Sequence, residues 1–128
     1  QFIISLGHFN GSQNEQIKIL FEHWYQRRAK KYLKEKTDYW SNVIGVYPRC
    51  IKVRSYKARW GSCTYKGDIS YNWKIIRAPI SIIDYLVVHE LCHLIEHNHS
   101  SLYWSHVETY HPEWKDSRSW LKSSSILF

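Results

Sequence analysis

Apolar positions along this chain change their period from segment to segment, and each change marks an element. Ile17, Leu20, Phe21, Trp24, Tyr25, Tyr32 and Leu33 recur every third or fourth residue, which predicts an amphipathic helix over about 14–36 with a basic opposite face. Beyond Gly45 and Pro48 the period drops to two in Cys50–Tyr56, and again in Asp68–Trp73 after a turn signal at Lys66-Gly67-Asp68. These stretches predict antiparallel strands, with a third between Trp60 and Tyr65. Pro79 then suits a first helical turn, and Ile80, Ile83, Val87, Leu91, Leu94 and Ile95 carry an apolar stripe through a second long helix, about 79–96. Ser100 is placed to cap a short helix to about Tyr110, and Pro112 to open a last one to about Leu121. The order predicts an α+β fold: an N-terminal helix, a small antiparallel-rich sheet, then helices.

Composition narrows the classes. At 128 residues the chain reads as one unit, 1–128, and hydrophobic residues at 44% with seven Trp and ten Tyr supply a core, which excludes intrinsic disorder. No stretch nears the roughly 18 uninterrupted apolar residues of a membrane span, because Ile80–Ile95 is broken by Ser81, Asp84, His89, Glu90 and His93. Cys50, Cys63 and Cys92 form no close-spaced pair, so a reducing, cytoplasmic setting is expected. The net charge of +7, concentrated in 27–31 and 49–59, suits an acidic partner such as a nucleotide or nucleic acid.

One run carries chemistry. His89-Glu90-Leu91-Cys92-His93 has the form HExxH, in which two imidazoles project from one helix face about 40° apart, close enough for one metal ion. Eight His in the chain make the motif a rare accident, with roughly 0.03 occurrences expected from composition. Neutral imidazoles suit zinc, Glu90 stands beside them as a general base, and a catalytic zinc site needs a third protein ligand. Candidates are Glu96, His97, His99, His106 and His111. Because a straight helix would carry the later ones more than about 10 Å from His89, the chain must turn back. A stop between His97 and Asn98, with Asn98 in the left-handed conformation, would fold His99 over the pair. His99 is therefore the expected third ligand, in the spacing HExxH-x5-H, and Glu96 is left to orient a ligand from behind. Cys92 is expected to be a small buried residue.

Other residues are candidates for handling substrate. Arg59 and Ser62, in the run Arg59-Trp60-Gly61-Ser62-Cys63, could meet an oxyanion or phosphate, and Tyr103 or His111 could donate to one from the later helices. Trp104 is expected in the core.

These residues together resemble a known family. Arg59–Cys63, Asn72-Trp73, Ala78-Pro79, Asp84–Leu94, Asn98-His99-Ser100 and Tyr103-Trp104 match, in order and spacing, the YgjP-like metallopeptidase domain family, over about residues 15–122. That family is related in pattern to the SprT-like and WLM zinc peptidases. The resemblance implies a compact gluzincin-like or minimal zincin domain in which His99 completes the metal site. Small departures are Tyr103 where Phe is commoner, Ser70-Tyr71 in place of an aliphatic residue, and the extra imidazole of His97.

The expectation is thus a hydrolase with one zinc ion held by His89, His93 and His99, using Glu90 to attack a peptide carbonyl. Two alternatives keep the site: hydrolysis of a nucleoside triphosphate to pyrophosphate, which the family also suggests, and a nucleic-acid-associated, SprT-like protease docking through the basic face.

Overall fold

Four helices and a three-stranded sheet make up residues 11–124, which the computed structural model of the chain describes. The first helix, α1, spans Gly11–Ile44 and so runs eight residues beyond the stretch its apolar pattern marks. The reason is visible in its buried stripe: Ala29 and Leu33 are followed at the same spacing by Thr37 and Ser41, both buried. Polar residues at core positions hide the helical period. Thr37 is satisfied there because its hydroxyl bonds the Leu33 carbonyl at 2.7 Å and the Tyr71 hydroxyl at 2.9 Å. Gly45, at φ +89°, ends the helix by donating to the Ser41 carbonyl.

The strands are β1 (Cys50–Arg54), β2 (Gly61–Cys63) and β3 (Asp68–Asn72), in the order β1-β3-β2. The sheet is mixed rather than antiparallel: β2 and β3 form a hairpin, with Ser62 opposite Ser70, but β1 runs parallel to β3. The segment after β1 crosses over to the far edge before reversing, so the first and third strands point the same way. Gly67, at φ +92°, makes the reversal possible in the loop between β2 and β3.

Asn72 fixes the crossing segment. Its amide nitrogen donates to the carbonyls of Tyr56 and Arg59, and its oxygen caps the short 3-10 helix Trp73–Arg77 by accepting from the Lys74 amide. Trp73 adds a bond from its indole to Ser55 Oγ at 2.9 Å.

Helix α2, Ile80–Cys92, begins after Pro79 and is buried on most sides, with Leu86, Val87, Val88 and Leu91 in the core. It packs against α1, β2, and the two later helices α3 (Ser101–Tyr110) and α4 (Trp114–Ser124). Asp84 ties it to α1 by accepting from the Trp40 indole and the Lys36 ammonium. The helix stops at Cys92, earlier than its apolar stripe suggests, and tight turns bonding Leu94 to Leu91 and Ile95 to Cys92 take the chain round. Asn98 is not left-handed, since no residue other than glycine has positive φ among the described residues. Ser100 caps α3 by accepting from the Tyr103 amide. No described helix is long and apolar enough to cross a membrane.

Candidate metal centre and cleft

The last turn of α2 and the loop before α3 bring three imidazoles together. One nitrogen from each of His89, His93 and His99 lies within 4.8 Å of the others, and His93 Nε2 and His99 Nε2 are 3.0 Å apart. His89 and His93 are one helical turn apart, and the turns after Cys92 return His99 to them without the left-handed residue that the spacing argument invoked.

Each imidazole is braced from behind. Tyr85, four residues before His89 on the same face, places its hydroxyl 3.1 Å from His89 Nδ1. Tyr103 stacks on His93 with ring centroids 4.5 Å apart, and its hydroxyl donates to the His89 carbonyl at 2.7 Å. Backbone groups of His97 and Glu96 favour the protonated form of the His93 ring, against the stronger opposing effect of burial. Trp104 lies 5.8 Å from the His89 ring and 5.5 Å from that of His99, and stacks on Trp114.

Burial and mutual repulsion favour the neutral form of these imidazoles. Burial, then the neighbouring His93 and His99, lowers His89 to about 3. Burial also lowers His93 and His99.

Glu90 points to the sheet side. It is 4% exposed, and its carboxylate meets the backbone of Gly61, where an added Cβ would stand 2.8 Å from Glu90 Oε2. Burial pushes the Glu90 carboxyl up to about 8, with Arg59 opposing. Among the described residues no hydrogen-bond donor reaches this carboxylate. A cleft of about 360 Å³ opens here, floored by Tyr85, Leu86, His89 and Glu90 of α2 and walled by Trp60 and Gly61 on one side and Arg118 and Leu121 on the other.

The description "YgjP-like, metallopeptidase domain" matches residues 4–124. The chain belongs to the YgjP-like metallopeptidase family. Membership makes it a metal-dependent hydrolase. Among curated proteins none matches the chain. Two solved structures share its fold. The metallopeptidase zymogen of Pyrococcus abyssi abylysin is 22% identical, with a TM-score of 0.58 over 70% of this chain and 93% of its own. The zymogen of Methanocaldococcus jannaschii jannalysin is 17% identical, with a TM-score of 0.61 over 75% and 97%.

The YgjP-like site fits the metal its family implies. Two nitrogens bound tetrahedrally to zinc at about 2.0–2.1 Å lie about 3.3 Å apart, near the spacing of His93 and His99, and all three rings are neutral at pH 7.

The remaining candidates are placed differently from expectation. Arg59 lies with its guanidinium 4.4 Å over the Tyr56 ring, outside the cleft beside the histidines. Ser62 alternates to the face of β2 opposite that by which Gly61 meets Glu90. His111 is buried, bonded to Ser117 Oγ at 2.9 Å with its ring 5.5 Å from that of Tyr85, and so supports the residue that braces His89. Tyr103 spends its hydroxyl on the His89 carbonyl. Glu96 contributes backbone to His93, while its carboxylate has no hydrogen-bonded partner among the described residues. Trp104 is half-buried beside the ligands rather than deep in the core. Sequence reasoning missed Tyr85, Gly61 and Arg118 in these places. Tyr85 carried a usable signal, since residue i−4 to a helical ligand shares its face.

Proposed function

We propose that this protein is a zinc-dependent peptidase in which His89, His93 and His99 hold one ion and Glu90 is general base and then general acid. The observation that carries the reading is the Glu90 carboxylate: buried, adjacent to three converging neutral imidazoles, without a donor among the described residues, and opening on a cleft. A zinc ion bound there would lower the pKa of a coordinated water to near 7 and polarise a carbonyl.

The chain's own groups supply the rest. Glu90 takes the proton of the attacking water on a carboxylate oxygen and delivers it to the leaving amine nitrogen. Its raised pKa suits that exchange, because a carboxyl near 8 gives up and regains a proton close to neutral pH. Arg118 lines the cleft with His89 and Glu90, and is placed to bind the carbonyl oxygen as it gains charge. Strand β2 is the edge of the sheet, and Gly61 brings that edge against Glu90, so an extended peptide can pair with it. That edge favours a peptide over a nucleotide. The unpaired cysteines support a reducing, cytoplasmic setting.

The test pairs zinc-loaded protein with its Glu90→Gln variant on an unstructured protein and a panel of nucleoside triphosphates. Peptide fragments that fall by roughly 10² or more in the variant, with zinc content unchanged, are expected. Pyrophosphate release dependent on Glu90 would assign the site to phosphoanhydrides instead.

A further inference from the structure

Past Trp60 the cleft adjoins a second hollow, of about 420 Å³, that shares Ala58 and Trp60 with it as walls. Lys57, Arg59 and Lys74 line this hollow together with Tyr56, and every charged side chain among its lining residues is a cation. The hollow is held in shape. Asn72 clamps the carbonyls of Tyr56 and Arg59, and the Arg59 guanidinium is laid over the Tyr56 ring.

Shared walls connect the hollow to the cleft. Gly61 meets Glu90, and Ala58 and Trp60, which wall both hollow and cleft, lie just before it in the chain. A peptide lying in the cleft can therefore pass a side chain into the hollow over the shared walls Ala58 and Trp60.

We propose that this hollow is a carboxylate subsite that receives a Glu or Asp side chain of the substrate and makes the enzyme select acidic peptides. The inference rests on the peptidase reading above and names its substrate class. A hydrogen bond with Ser70 lowers the Tyr56 hydroxyl most, burial opposes it, and the Arg59 guanidinium lowers it further by hydrogen bond and charge. A bounded hollow opening on a cleft suits one side chain of a peptide, whereas a nucleic acid needs cations spaced along a track.

The experiment measures binding to zinc-loaded Glu90→Gln protein, using an extended fluorescent peptide with Glu at the position facing the hollow and its Gln twin. The Glu peptide binds about fivefold tighter at low salt, and the difference shrinks as salt screens it. Lys57→Glu with Lys74→Glu reverses the preference toward a Lys peptide, while the melting temperature and zinc content stay the same. Equal binding of the Glu and Gln peptides overturns the subsite. Displacement of the Glu peptide by an equal concentration of a single-stranded DNA oligomer also overturns it, assigning the hollow to nucleic acid. Turnover by the Glu90 protein separates the two ideas: cleavage of both peptides with equal affinities sinks the subsite alone. A charge preference in binding with no cleavage of any peptide by the Glu90 protein sinks the peptidase reading and with it the substrate role of the hollow, leaving a carboxylate-binding site alone.

Discussion

Gly61 and Glu90 touch: any side chain at Gly61 would bring its Cβ to 2.8 Å from Glu90 Oε2 and 3.1 Å from the Ser70 carbonyl. The Ser70 carbonyl is backbone and yields little, whereas the carboxylate is the end of a side chain that borders the cleft, so the carboxylate is the group that moves. Gly61→Ala should therefore displace the carboxylate and lower kcat by roughly tenfold or more, within the cost of a misplacement of about 1 Å. Zinc content should be unchanged. Steady-state kinetics on a peptide, alongside metal analysis, checks this, and wild-type turnover would show that Glu90 does not work from this position.

Tyr85→Phe removes the hydroxyl beside His89 Nδ1 and leaves the ring in place. Loss of the group that orients a ligand imidazole typically weakens metal binding about 10- to 100-fold. Competition with a chromogenic chelator measures it, and an unchanged dissociation constant would mean that helix packing alone orients His89.

Protons and metal should scarcely compete near neutrality. His89 is held at about 3 and burial lowers His93 and His99, so all three imidazoles are deprotonated before metal arrives. Zinc affinity should therefore fall less between pH 8 and pH 6 than at a site of three histidines with the ordinary pKa of about 6.5, which would lose affinity across that range. Titration calorimetry at both pH values separates the cases.

Arg49 holds Asp68 below the usual carboxylate range, with Nε 2.7 Å from Oδ1. A depressed folded-state pKa gives stability that is fully present above the unfolded value, near 4, and lost as pH falls through the folded one. Asp68→Asn should accordingly destabilise the protein at pH 7 and much less at pH 2. Urea unfolding at both values tests this, and an equal loss at both would refute the charge argument.

Thr37→Val leaves the buried Tyr71 hydroxyl without its partner. An orphaned buried hydroxyl costs about 1–3 kcal/mol. Denaturant unfolding of the variant should show that loss, and a double variant with Tyr71→Phe should recover part of it.

The order of elements was legible because each follows from local pattern: period, proline, glycine and the Ser100 cap. Strand direction was not, since β1 becomes parallel to β3 only through the path of the crossing segment, which no local signal encodes. The full length of α1 was hidden by Thr37 and Ser41, whose burial depends on Tyr71 and on packing far away in sequence. At the site, helical spacing put His89 and His93 together, and the need to turn back led to His99. The turn itself came from tight hydrogen bonding after Cys92 and not from Asn98. Gly61 and Arg118 reach the cleft from other elements, so their place there is a fact of tertiary structure alone.

The short loop between His93 and His99 bears on how the protein is made. Their rings already meet across a closed turn, and the helix beneath them is buried through Val87, Val88 and Leu91. The five residues between them are ordered by the backbone turns after Cys92 and by the core, so folding and metal loading should be separable events, unlike in small domains that fold only around zinc. A metal ion bound there should accordingly be removable by a chelator and replaceable without refolding, and which ion it is would follow from what the surroundings offer.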